Sequence, residues 1–300
     1  MASPTLTTIV SLLITIVLNR IYRVVYFLYF SPLRHFPGPK LWAVSRLPLQ
    51  IQLIRGKPHL DFLKLHKKYG PVIRIAPDHL AFSTGQAFKD IYGNPNFRKN
   101  ALYHQPPVNG VNHLVVAIDD AEHARHRKLL ASGFTGEALK AQEPMVTSYV
   151  DTLIQKLDEK RQSGPIDFNL WVNAMSFDLI GDLTFGENFG CLSSSELHPW
   201  IRLIFGSMKV FIFIGAVAQW PMLNALLKML IPKSFMQEGI DHFNLSAAKA
   251  DRRIMMGADK YDFMSGMMRN DIRETHGPHL KNSKQMSRAE IHSNAYMLVR

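Results

Sequence analysis

The chain has 300 residues, 47% of them hydrophobic, and a formal net charge of +11. That length and apolar content suit one large domain or two ordinary ones with a sizeable core. The single cysteine, Cys191, excludes an internal disulfide framework and a Cys-based zinc site, and fits a reducing, cytosol-facing compartment.

The apolar stretch Leu6–Phe30 opens the chain and is long enough to cross a bilayer as a helix. Arg20 and Arg23 lie in its second half, where they can snorkel toward an interface beside Tyr22, Tyr26 and Tyr29. No basic residue precedes the stretch, and residues 1–74 carry +10 of the net charge. By the positive-inside rule this predicts a retained, single-pass anchor with the body in the cytosol. A buried core helix is the alternative. The basic block then meets lipid headgroups rather than a nucleic acid. Pro32, Pro37, Gly38 and Pro39 break any helix and mark a hinge over 31–40, so the anchor is 1–30 and the body 41–300.

Along the body, 57–70 reads as a helix stopped by Gly70, and 71–83 as a β-hairpin around Pro77 and Asp78. "TGQAFKDIYGN" is a short helix. Residues 93–119, rich in Pro, Gly and Asn, read as a long loop. Helices are predicted over 120–134, 137–163, 168–185, 198–215, 236–256 and 258–270. The last opens near 287, where Ser287 and Glu290 have capping-box spacing and Ile291, Ala295 and Leu298 share a face. The fold class is therefore mainly α with a small β-sheet near the N-terminus. No G-x-G-x-x-G, P-loop, G-x-S-x-G or H-E-x-x-H motif occurs.

Several of these stretches together resemble the cytochromes P-450, the haem-thiolate monooxygenases. "FPGPK" is similar to their proline-rich hinge, "KKYGPVIRIAPDHLAFS" to the helix and hairpin that open their β domain, and "DDAEHARHRKLLASGFT" to their third helix. "MSFDLIGDLTFGENFG" resembles fungal members of secondary metabolism, and "MSRAEIHSNAYMLV" the start of their long central helix. The resemblance covers about the N-terminal three-fifths of a typical member. It implies an incomplete cytochrome P-450 fold behind an N-terminal transmembrane helix at the endoplasmic reticulum. It also implies a haem cofactor, a reductase partner and an apolar small-molecule substrate to be hydroxylated in secondary-metabolite biosynthesis.

In the family an aromatic residue or His, followed four residues later by Arg, binds the haem propionates at the third helix. Here these are His123 and Arg127, one helix face apart, and an Arg fork suits a carboxylate. Arg125, His126 and Lys128 are expected to form a solvated basic face. His123 and His126 have the spacing of metal ligands, but the surrounding cations oppose one, and no metal ligand or catalytic residue is assigned. The family's acid–threonine kink, E-x-x-R pair and Cys loop are not recognisable. Glu122 and Arg125 match E-x-x-R on a different helix, and Cys191 in "ENFGCLSSSE" is not the haem-ligand loop. Glu187 and Glu196 are expected to keep its thiol protonated.

The chain is thus expected to be truncated in the central helix and inactive alone, so whether it is an enzyme stays open. It is alternatively the N-terminal part of an active monooxygenase with a split gene, or a haem-free membrane-bound interaction module. With the central helix short, 168–185 is expected to stay partly exposed. The run 210–227 suits core helices, a second span, or the roof of a substrate channel dipping into the membrane. The loop 98–116, apolar from Val111 to Ile118, faces substrate in the family or is a surface loop.

Overall fold

The computed structural model describes residues 4–94, 96–100, 104, 108–196, 198–230, 233–257, 262–268 and 285–299. It is mostly helical with one two-stranded sheet. The chain forms two compact units, Met1–Phe97 with Ile212–Ala218, and Arg98–Phe211 with Gln219–Arg300.

In the first unit, helix α1 spans Pro4–Val25 and runs into a π-turn, Tyr26–Phe30. Thr8–Phe30 is long and apolar enough to cross a membrane, and none of it is buried. The hinge folds as a 3₁₀ turn, Pro32–His35, capped by the Ser31 hydroxyl on Leu33 N–H. Arg74 holds this turn in place. Its buried guanidinium donates to Phe27 O at 2.9 Å, Ser31 Oγ at 3.3 Å and Pro77 O at 2.6 Å. A cation that satisfies the free carbonyls at a helix end stabilises that end. Two helices that the sequence reading did not foresee follow, α2 (Lys40–Val44) and α3 (Leu47–Ile54). Helix α4 (Pro58–Tyr69) starts on a Pro and stops at Gly70, whose φ of 98° only glycine adopts easily. The hairpin is β1 (Val72–Ala76) with β2 (His79–Phe82), antiparallel, with a register shift between Arg74 and Ala76. Helix α5 is Gly85–Tyr92, capped by Thr84.

In the second unit, described residues between α5 and Asp119 form no helix or strand, as the loop prediction expects. Helices α6 (Asp120–Leu130), α7 (Gly136–Lys160), α8 (Phe168–Phe185) and the single turn α9 (Cys191–Ser194) follow. Then come α10 (Pro199–Ala218), of which Ile212–Ala218 belongs to the first unit, α11 (Pro221–Leu230), α12 (Lys233–Met255), α13 (Ser265–Met268) and α14 (Arg288–Val299). Of the helix predicted over 258–270, residues 258–261 and 269–270 lie outside the described residues; the rest holds only α13. The apolar run 210–227 is divided between α10 and α11 at Gln219 and Trp220, so it is not one continuous span.

The core of this unit gathers Leu130, Ala174, Phe177, Phe185, Trp200, Ala250, Met264, Met267, Ile291, Ala295 and Val299. Helix α8 therefore buries its apolar face, with Trp171, Ala174 and Phe177 at most 7% exposed. Phe168 is nonetheless 60% exposed and Leu170, Met175 and Ile180 are half-buried, so 168–185 is partly exposed, as expected, while Ile291, Ala295 and Val299 share one core with its buried residues. The capping box forms as predicted. Glu290 N–H donates to Ser287 Oγ at 3.2 Å, and Ser287 N–H donates to a Glu290 oxygen at 2.8 Å.

Candidate functional site

Helix α6 is capped by the Asp119 carboxylate, which accepts from Glu122 N–H at 3.0 Å. Its first turn carries Asp120 and Glu122 and its last Arg127 and Lys128, which complements the helix dipole. A helix turns about 100° per residue, so His123 and Arg127 lie about 40° apart while Arg125 points to the other side. Burial follows this wheel. Arg127 is exposed, His123 half-buried, and Arg125 and His126 buried.

Arg125 and His126 are therefore not part of a solvated basic face; of that expected trio only Lys128 is exposed. The reason is Glu290 on α14, which is itself fully buried. Arg125 forms a two-pronged ion pair with the Glu290 carboxylate and donates to Gln285 O at 3.0 Å. His126 Nε2 lies 3.3 Å from the same carboxylate. Burial pushes the Glu290 carboxyl up, but hydrogen bonds from His126, Arg125 and the Ser287 N–H outweigh it and hold it down at about 2. Glu122, His126 and Glu290 bring ligand atoms within 4.8 Å of one another. Both carboxylates are already engaged, Glu290 by Arg125 and Glu122 by the Asn112 amide at 3.0 Å.

On the other face of α6, a cationic corner forms. Burial lowers the His123 pKa, and Lys99 and then Arg127 lower it further against the pull of Asp120. Lys99 is an exposed residue of the preceding loop whose Nζ donates to Val115 O at 3.1 Å, and partial burial of the group lowers its pKa. His123, Arg127 and Lys99 are thus within electrostatic reach of one another. Lys99 was missed in the sequence because a lone Lys in a loop carries no spacing signal. Two cations and a neutral imidazole N–H are a donor set for carboxylates, and no anionic side chain of α6 except Asp120 offsets them. This set fits a group that presents two carboxylates, as haem does.

The loop that leads into α6 is pinned to α14. Asn109 Nδ2 donates to Ala289 O at 3.0 Å, Ser293 Oγ donates to Asn109 Oδ1 at 2.9 Å, and Leu114 N–H donates to Asn294 Oδ1 at 3.0 Å. Val116 and Ala117 turn inward while Val115 is 58% exposed. Residues 101–103 and 105–107 of this loop lie outside the described residues.

Cys191 is buried at the start of α9. Burial pushes its thiol up to about 11, the Asp178 carboxylate adds to this, and the His198 N–H, 3.3 Å from Sγ, opposes it. The thiol is protonated at neutral pH, as the sequence suggests, but the cause differs. Glu187 is occupied by Lys249 and Arg252, and the acid that matters is Asp178. A buried protonated thiol does not fit an iron-bound thiolate.

The family model for cytochrome P450 matches residues 36–298 of this chain. The chain belongs to the cytochrome P450 family. It is 39% identical to the averantin hydroxylase of Dothistroma septosporum over 92% of this chain and 51% of the relative. It is 37% identical to cytochrome P450 monooxygenase efuB of Hormonema carpetanum over 96% and 57%. With the trichothecene C-15 hydroxylase of Fusarium sporotrichioides it shares 36% over 92% and 55%. The chain spans about half the length of these curated relatives. The cationic corner lies inside the matched P450 segment, and so do Glu290 and Cys191.

Proposed function

We propose that this chain is the N-terminal part of a haem monooxygenase that hydroxylates an apolar small molecule in fungal secondary metabolism. The observation that carries the reading is the corner of His123, Arg127 and Lys99 on the exposed side of α6, within a segment that matches the P450 family. In this reading His123 and Arg127 hold the two haem propionates, and Lys99 adds a third positive group. Haem when bound supplies the activation of O₂. These 300 residues would supply orientation and charge neutralisation, while Cys191 would not supply the thiolate that the iron needs. A reductase would deliver the electrons. Haemin titrated into the purified chain is expected to raise a saturable Soret change, with affinity weakened about tenfold or more in Arg127→Ala, the scale of a lost charged hydrogen bond. Equal affinity in the two proteins would remove Arg127 from the haem.

The membrane reading belongs to the same proposal. Residues 1–30 form a single-pass anchor, 31–40 the hinge and 41–300 a cytosolic body at the endoplasmic reticulum. Its support is the exposed apolar helix Thr8–Phe30 followed by the basic block. An N-glycosylation acceptor inserted before Thr5 is expected to be modified and one near residue 160 left bare. The reverse pattern would invert the topology.

A further inference from the structure

We propose that Glu290 is a positioning residue for the propionate-holding face of α6, acting through Arg125 and His126. The proposal rests on the reading of His123 and Arg127 as propionate donors, and it names what sets their direction.

Helix α6 is held largely by polar contacts. Its buried residues are Arg125, His126 and Leu130. Only the last of these is apolar, so hydrophobic packing fixes one end of the helix and leaves its rotation about its own axis weakly determined. The polar contacts settle that rotation. Arg125 and His126 both close on the Glu290 carboxylate, and Arg125 also reaches Gln285 O. The Asn112 amide holds Glu122 from the loop side. Glu290 is in turn fixed to its own helix start by the Ser287 N–H. A planar guanidinium against a carboxylate is strongly directional, so the pair sets an angle as well as a distance.

The face that carries His123 and Arg127 is rigidly joined to the face that carries Arg125. A rotation or slide of α6 allowed by loss of the clasp would carry both propionate donors with it. Arg127 is exposed, and among the described residues no hydrogen bond or ion pair fixes its head. The backbone position under it therefore decides where its fork can reach. A small misplacement of such donors costs much of their effect. Glu290 touches neither propionate; it acts on them only through α6.

The test measures selectivity for propionate, because loosened packing alone would not change it. Haemin and haemin dimethyl ester, which lacks the two negative charges, are each titrated into the full 300-residue chain. The wild type is expected to prefer haemin, and Arg127→Ala to lose that preference. Glu290→Gln is expected to reduce the preference about tenfold, toward the Arg127→Ala value. Since removing one partner of a buried pair can prevent folding, the paired replacement Arg125→Met with Glu290→Met removes the clasp without leaving a lone buried charge. It should lose the preference in the same way, with helix content unchanged by circular dichroism. Asp178→Ala loosens the same unit at α8 and should weaken haemin and ester alike, leaving their ratio at the wild-type value. The proposal is overturned if the clasp variants keep the wild-type ratio while Arg127→Ala abolishes it. A wild type that binds the two compounds equally would instead overturn the propionate reading, and this inference with it.

Discussion

Replacing Arg253 by Met is expected to cost about 3–5 kcal/mol of stability, the range found when one partner of a buried ion pair is removed. Arg253 on α12 is fully buried, and its Nε donates to Asp262 at 2.6 Å. Its other end holds Gly257 O, where the backbone leaves α12 with a φ of 82°. Asp262 spends its remaining oxygen on α13, accepting from Met264 N–H at 3.1 Å, Ser265 N–H at 2.9 Å and Ser265 Oγ at 2.8 Å. Without Arg253 the Asp262 charge stays buried and unpaired. The turn that places Phe263, Met264 and Met267 in the core then loses its anchor. Urea unfolding of the variant should show a lower midpoint by the corresponding amount. A midpoint equal to that of the wild type would mean that the pair contributes nothing net.

The second large effect is one of pH. The Glu290 carboxyl sits at about 2 in the folded chain against 4.5 as its ordinary value. A depressed carboxyl contributes stability above its unfolded pKa and loses it as pH falls through the folded one. The contribution, about 3 kcal/mol from a shift of that size, is complete near neutral pH and fades from about 4.5 down to about 2. In Glu290→Gln that part of the acid limb is missing, so the two proteins should differ most in stability at neutral pH and converge near pH 2. Unfolding free energies measured across this range check it. A constant difference between the two proteins at every pH would show that the carboxylate's charge plays no part.

Much of the helical framework was legible because it is written in local signals. The 168–185 helix has its N-cap at Asp167 and its stop at Gly186, and both lie beside the apolar run they bound. The hairpin and the capping box at Ser287 are equally local. Helices α2 and α3 were missed because residues 41–56 are apolar without a clear period and are interrupted by Pro48. The break between α10 and α11 was signalled by Pro221 but hidden in a continuously apolar run.

The candidate site was harder to read, and the reason is sequence separation. A charged residue on a short basic helix is solvated unless something distant neutralises it. For Arg125 that partner is Glu290, 165 residues along the chain, and the capping box already seemed to account for Glu290. Lys99 joins His123 only through the fold of the loop. For Cys191 the nearest acids in sequence were the wrong ones, because Glu187 is drawn to Lys249 and Arg252 while Asp178 turns in from α8. In each case proximity in sequence stood in for proximity in space.

In the proposed reading this chain carries propionate donors for haem but no thiolate for its iron. The most direct measurement is the absorption spectrum of the haemin-loaded chain after reduction and carbon monoxide treatment. No long-wavelength Soret band of a thiolate-ligated haem is expected, and the spectrum should be unchanged in Cys191→Ser, because the Cys191 thiol is buried and protonated. A thiolate-type band in the wild type that disappears in Cys191→Ser would contradict it.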